Sequence, residues 1–394
     1  MADDPELNEA GDKFYKIDSH KLLFHIIDEW NEGKIEIDDV VLTREYIEAS
    51  GVQTRLCYTE ISHKHNAPKA TMAIFHGLGQ NSDLFVELGI QFAMNGYKVQ
   101  FIDFRGYGWS GGMRAEHTIV EMQNDIVALL KEADPELPLF FFAHSMGCII
   151  AAAFLMNNPR LNVSGVILQA PLTANPTHVK IDTFRLLLVK LLGESLPELI
   201  ISPRINPSSV TKKAVVLKWF LTNRKLVPII GTRQAAWMAQ YMYHFRHNAG
   251  FFKYPVLIHL GGEDKIVNNE ITKHFYAKLG SEDKQLFEYE GAYHELQYED
   301  CQRELIKNTL DWINFRTKEG NTEKLGSIDF DTIKVAFLKK KAPFKHWKAL
   351  ITAIVLAYYF IGYVLMASKF INKNRHEMIA LWPCSLYRKF FGKK

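Results

Sequence analysis

From residue 70 onward, short apolar runs alternate with longer segments of helical spacing. The runs cover residues 71–75, 99–102, 139–143, 166–169, 256–260 and 286–289. Runs this short, bounded by Gly or Pro and separated by helix-length stretches, predict buried parallel strands in βαβ units. Ahead of them, 42–49 and 54–59 read as strands joined across Ser50-Gly51-Val52-Gln53, a turn signal, which predicts a hairpin. The rhythm breaks between Pro171 and Lys253. Here 184–192, 210–221 and 235–245 carry helical patterns, punctuated by Pro176, Pro197, Pro203, Pro207 and Pro228, with no clear strand. An interval of about 80 residues is long for one crossover. It predicts a helical cap at about 172–252, inserted between two strands of the sheet.

The remaining boundaries follow from the same pattern. An apolar patch at 22–27 with Trp30 predicts a short helix within an N-terminal extension, 1–40. The domain built on the sheet then runs over 41–316, with a helix from after His294 to about Arg316. Polar, glycine-containing 317–326 opens a linker and basic segment that extends to 346. The expected class is α/β: a mostly parallel central sheet covered on both faces, an inserted helical cap and a C-terminal membrane segment.

Composition narrows this little. The 394 residues are 47% hydrophobic and 23% charged, as in packed globular proteins. A net charge of +3 excludes a polyanion binder as a description of the whole molecule. The four cysteines, Cys57, Cys148, Cys301 and Cys384, show no C-x-x-C spacing, which argues for reduced thiols over a zinc site or a disulfide framework. The acidic, polar start has no apolar core of a secretory signal. The sequon at Asn162 precedes an apolar run and is not expected to carry a glycan.

Candidate chemistry sits at the ends of the predicted strands. Ala143-His144-Ser145-Met146-Gly147 follows one strand and opens a helix-like stretch. A sharp strand-to-helix turn of this kind exposes a serine hydroxyl, and it requires small residues on either side. Gly147 fits, and Ala143 adds one methyl to the usual glycine. The N–H of Met146, at the helix start, is placed to receive an oxyanion. Phe75-His76-Gly77-Leu78-Gly79 follows another strand, and Leu78 is the natural second donor. Leu260-Gly261-Gly262-Glu263-Asp264 places an acid at the end of a late strand; Asp264 is favoured, with Glu263 as the competitor. His294, in Gly291-Ala292-Tyr293-His294-Glu295, lies thirty positions further on (294 − 264). Most histidines are structural, and this chain has fifteen. What raises His294 is the order Ser145, Asp264, His294, each on a loop after a strand, which is the chain order of α/β-hydrolases. A serine needs an adjacent base to be nucleophilic, and the base needs a carboxylate to fix its tautomer.

The strings His76-Gly77-Leu78-Gly79-Gln80-Asn81-Ser82, Asp103-Phe104-Arg105-Gly106-Tyr107-Gly108-Trp109-Ser110, His144-Ser145-Met146-Gly147 and Tyr293-His294-Glu295-Leu296 resemble the monoacylglycerol lipase and lysophospholipase group of α/β-hydrolases, of serine aminopeptidase S33 type. The resemblance covers about residues 45–316. It implies hydrolysis of a lipid ester through an acyl-enzyme, without a cofactor or metal, and an oxyanion hole at Leu78 and Met146. It also implies a helical cap over the site. The aliphatic stretch 184–192 would suit a lid facing lipid. Cys148, where the group often has a second glycine, is expected to pack at the helix start. The stretch from Asp103 to Ser110 reads as a structural turn, with Asp103 and Arg105 as a possible pair.

Past the linker, residues 349–368 hold no charged residue over twenty positions. At 1.5 Å per residue such a helix spans about 30 Å, a bilayer core. With Trp347 at its border, 347–368 is expected to cross the membrane once. Six lysines precede the segment (Lys334, Lys339, Lys340, Lys341, Lys345, Lys348), against Lys369, Lys373 and Arg375 after it. The excess predicts a cytosolic catalytic domain and a bilayer partner instead of nucleic acid, with 369–394 as a basic tail. Competing readings are a hydrolase or acyltransferase on another ester, thioester or amide, and a non-catalytic protein that kept the fold. An aspartate nucleophile is excluded, because Ser145 holds that position.

Overall fold

A computed structural model describes residues 30, 32–49, 54–174, 183–201, 205–318 and 322–335, together with 6–7, 13–14 and 357. The main sheet is built from nine strands: β1 (Gly33–Ile37), β2 (Val40–Glu48), β3 (Arg55–His63), β4 (Ala70–Phe75), β5 (Tyr97–Ile102), β6 (Leu139–His144), β7 (Gly165–Gln169), β8 (Val256–Gly261) and β9 (Lys284–Tyr289). The order across the sheet is β9-β8-β7-β6-β4-β5-β3-β2-β1. Neighbours from β9 to β5 are parallel, whereas β5/β3, β3/β2 and β2/β1 are antiparallel. Helices α1 (Val86–Met94), α2 (Ile119–Lys131), α3 (Met146–Asn157), α4 (Thr183–Ser195), α5 (Ala214–Thr222), α6 (Thr232–His247), α7 (Asn269–Lys278) and α8 (Gln302–Thr317) complete the domain.

The central strands are apolar throughout because both of their faces are buried. Along β6, Leu139, Phe141 and Ala143 enter one core, and Phe140 and Phe142 enter the other. Strand β7 divides the same way, with Val166 and Leu168 on one side and Ile167 on the other. Alternation of side chains across a strand explains the continuous runs read from the sequence.

All six predicted runs are strands, and the predicted hairpin is the β2/β3 pair. The sheet begins earlier than the sequence suggested: Gly33–Ile37 lies within the predicted extension yet adds an edge strand. Its alternation explains this, since Ile35 and Ile37 pack on the core while Lys34 and Glu36 face outward in an ion pair. The cap holds the three expected helices, α4 to α6, and also a two-residue antiparallel pair, Ile200–Ile201 with Ile230–Gly231. Residues 322–335, placed in a linker by composition, strap across the domain. Leu325 N–H donates to Leu137 O (3.0 Å) and Gly326 N–H to Pro135 O (2.9 Å). Asn158 donates to Lys334 O and accepts from Lys334 N–H, and Leu325 is buried. Asn162 donates to Lys324 O at 2.7 Å, so the sequon amide is held by the strap.

The apolar patch at 22–27, Cys384 and, Ala357 apart, the segment 349–368 lie outside the described residues. Among the described residues, no helix is long and apolar enough to cross a membrane.

Candidate active site

The turn from β6 into α3 is strained at one residue. Ser145 has φ +51° and ψ −113°, a conformation that costs a non-glycine residue about 1–3 kcal/mol. Its backbone is held on both sides. Ser145 N–H donates to Gln169 O (3.0 Å), and Ser145 O accepts from the N–H groups of Cys148 and Leu172 (3.2 Å each). Gly147 is required by crowding: a Cβ there would lie 2.5 Å from Phe75 O and 2.7 Å from His76 O. This approach brings the start of α3 against the loop after β4. A Cβ on Gly77 would lie 3.0 Å from Ser145 Cβ, so the loop carrying Leu78 abuts the serine. Met146 is the first residue of α3. Ala143 and Cys148 are fully buried. Cys148 Sγ donates to Ala143 O at 3.1 Å, and burial pushes its thiol pKa well above the ordinary range, so this cysteine packs and is not activated.

The loops after β8 and β9 bring Asp264 and His294 together. His294 Nδ1 lies 2.7 Å from Asp264 Oδ2, with both side chains buried. Asp264 Oδ1 accepts from Ile266 N–H (2.7 Å) and Val267 N–H (3.1 Å), which orients the carboxylate. Glu263, the competitor, points to solvent and pairs with Lys212 at 3.2 Å. Burial disfavours the imidazolium of His294, but the carboxylates of Asp264 and then Glu295 outweigh it, and the pKa lies above the ordinary histidine value. The structural histidines behave oppositely. Burial lowers His76 to about 4 and His259 to about 3, and each is tied into the core by both ring nitrogens.

The cap closes over this constellation. Pro228 lies against the loop after β4, 2.5 Å from where a Gly79 Cβ would stand. From α6, Gln234 Nε2 bonds the Tyr107 hydroxyl and faces Met146 Sδ at 3.6 Å. The possible Asp103–Arg105 pair is not formed. Asp103 accepts from the N–H groups of Ser82 and Trp109, while Arg105 crosses to α2 and binds Asp125 through Nε (2.8 Å) and Nη2 (2.5 Å).

Sequence reasoning missed a buried polar network beside Ser145 and His294. Gln80, His144, Gln169, Glu295 and Gln297 are all buried and bonded to one another. The only signal was position, since three of them stand in the quoted motif strings. His144, His294 and Glu295 bring possible metal ligands within 4.8 Å of one another. Those donors are committed elsewhere: both nitrogens of His144 and both oxygens of Glu295 have partners in the network, and His294 Nδ1 is taken by Asp264.

The chain is 29% identical over 262 residues to an uncharacterized abhydrolase domain-containing protein of Dictyostelium discoideum, covering 66% of this chain and 28% of that protein's length. It is 27% identical over 264 residues to the monoglyceride lipase of Homo sapiens, covering 65% of this chain and 86% of the relative. Its fold superposes with a TM-score of 0.62 on a soluble variant of the Saccharomyces cerevisiae monoglyceride lipase in complex with a substrate analog, at 21% identity over 71% of this chain and 98% of that one. Residues 66–301 match the family described as Serine aminopeptidase, S33, and this span holds β6, the Ser145 turn and the Asp264 and His294 loops. The chain belongs to that family, as an enzyme of the serine hydrolase class.

Proposed function

We propose that this chain hydrolyses a lipid ester, a monoacylglycerol or a lysophospholipid, through an acyl-enzyme on Ser145. Ser145 Oγ attacks the ester carbonyl while His294 Nε2 takes its proton and Asp264 stabilises the resulting imidazolium. The N–H groups of Leu78 and Met146 receive the oxyanion. Collapse expels the alcohol, which takes the proton from His294. Water then repeats the sequence on the acyl-enzyme and releases the fatty acid. The observation that carries this reading is the buried Asp264–His294 bond at 2.7 Å, with the His294 ring 4.7 Å from that of His144, the residue that precedes the strained Ser145. A greasy substrate is supported by the monoglyceride lipases of Homo sapiens and Saccharomyces cerevisiae that the chain is similar to. The cap adds to this, because Leu186, Leu187, Leu196, Leu199 and Ile200 are all exposed. A single-pass anchor over 347–368, with the domain on the cytosolic side, would hold that cap near its lipid.

Fluorophosphonate labelling of the full chain tests the chemistry. Wild type is expected to label and Ser145→Ala is not; equal labelling removes Ser145 as nucleophile. A panel of monoacylglycerols, lysophospholipids, short esters and thioesters then assigns the substrate, and activity confined to the short esters removes the lipid. Carbonate extraction of cell membranes tests the anchor: the full chain stays in the pellet and a chain ending at 339 is released.

A further inference from the structure

Glu295 directly follows the base, and it is wholly buried. A buried carboxylate must collect hydrogen bonds, and when ionised it can only accept. Its Oε1 accepts from Gln80 Nε2 (2.5 Å) and its Oε2 from Gln297 Nε2 (2.7 Å). Each amide then has one free end, and that end must accept. Gln80 Oε1 takes the Gly77 N–H at 2.7 Å, which closes the loop carrying Leu78. Gln297 Oε1 takes Gln169 Nε2 at 2.5 Å. The same Gln169 nitrogen faces His144 Nδ1 at 3.2 Å, so Nδ1 accepts, the proton sits on Nε2, and Nε2 donates to Glu295 Oε1 at 3.2 Å. This tautomer is assigned from the network. One negative charge thus sets the direction of every bond, from the loop after β4, through the residue preceding Ser145, to the loop of the base.

The His144 and His294 rings lie 4.7 Å apart, and Glu295 comes within 4.8 Å of the ligating nitrogens of both. Among the described residues, Tyr298 also faces Glu295; its buried hydroxyl donates to Leu84 O and burial pushes its pKa far up, so it stays neutral. Two cations of the neighbouring loops, Lys212 and Lys265, lie over the exposed-side ring of Tyr293.

We infer that Glu295 is a positioning residue for the reaction: its carboxylate locks the oxyanion loop through Gln80, locks the nucleophile turn through His144, and serves as a second anion for the His294 imidazolium. The inference rests on the Ser145–His294–Asp264 reading, and it names a residue outside that triad.

The test is Glu295→Gln in the full chain, followed by kcat, KM and the pH profile of kcat/KM on a chromogenic ester. An amide at this position adds a donor where the network supplies only donors, so the bond directions conflict down the chain. Expected are a kcat lower by roughly 10–100-fold, as for a misplacement near the chemistry, and a KM within about twofold of wild type. The acid limb is expected to fall by about one pH unit, because an anion close to the imidazole is lost. A second variant, Gln80→Met, cuts the link to the oxyanion loop and keeps the charge; it is expected to lower kcat with the acid limb in place. It also serves where Glu295→Gln does not fold. An unchanged kcat in either variant, or a Glu295→Gln limb that does not move, overturns the inference. Labelling by the fluorophosphonate separates the two readings: if wild type does not label, the triad reading has failed. If wild type labels, Ser145→Ala does not and the limb still stays fixed, only the role of Glu295 has.

Discussion

Replacing Asp264 by Asn changes no heavy-atom count in the buried site and still removes what the proposed base requires. Asp264 Oδ1 is engaged by the N–H groups of Ile266 and Val267, so in Asp264→Asn the amide oxygen must keep that place. The amide nitrogen is then directed at His294 Nδ1, 2.7 Å away in the wild type. Nδ1 becomes the acceptor, the proton moves to Nε2, and Nε2 can no longer take the proton of Ser145. The charge is lost as well. A carboxylate and an imidazolium 2.7 Å apart attract by about 6 kcal/mol at an effective dielectric of about 20. At about 1.4 kcal/mol per decade this is roughly a 10⁴-fold loss in kcat, the size of effect that follows loss of a triad carboxylate. The assay is steady-state hydrolysis of a chromogenic ester, with thermal unfolding as a check on the fold. Glu263→Gln is the control: Glu263 is exposed and faces the surface cations Lys212 and Lys265, and the variant's activity should stay within about twofold of wild type. A loss below tenfold in a folded Asp264→Asn protein would refute the reasoning, as would an equal loss in the control.

Two further outcomes are expected. Because His294 must be neutral to act as base and its pKa is raised above 6.5, kcat/KM should fall with a midpoint above pH 6.5 as the pH drops; a midpoint below 6.5 in a pH-rate profile contradicts the assignment. The sign for stability is opposite. A raised folded-state pKa stabilises the protein below the unfolded value, and this contribution fades as the pH rises through the folded one, so the acid loss of activity is not unfolding of this site. Leu325→Ala should destabilise the domain by about 2–5 kcal/mol in urea titration, because the strap seats Leu325 in the core; a change under about 0.5 kcal/mol would show that the strap is incidental.

What could be read from the sequence was local. The run Leu139–Phe142 declared a doubly buried strand because every position meets apolar neighbours, and the Ser145 and Asp264 loops follow such strands, whereas the His294 loop follows the partly exposed edge strand β9. Edge elements were less legible. In Gly33–Ile37 only Ile35 and Ile37 turn inward, and two charged residues on the outward face hide the alternation. The strap has a linker's composition, and its order comes from backbone bonds to Pro135 and Leu137 and from the side chain of Asn158, none of which leaves a periodic trace. The buried network was furthest from view. Gln80 and Glu295 are separated by 215 positions, and glutamines in a sequence carry no sign of being buried.

The strained serine shows why that network belongs with the chemistry. A positive φ at Ser145 opposes folding by about 1–3 kcal/mol and persists only if the surroundings over-determine it. Three backbone bonds do so directly, from Ser145 to Gln169, and from Cys148 and Leu172 to Ser145, each worth about 0.5–1.5 kcal/mol net. Gln169 and the neighbouring His144 tie this turn to the network. Gln169 supplies the carbonyl that holds Ser145 and the amide that orients His144, and His144 immediately precedes the strained residue. The Ser145 turn and the bonds that run to Glu295 therefore share Gln169 and His144. A change at Glu295 reaches the Ser145 turn through the His144 side chain, and through the Gln169 side chain and carbonyl beyond it.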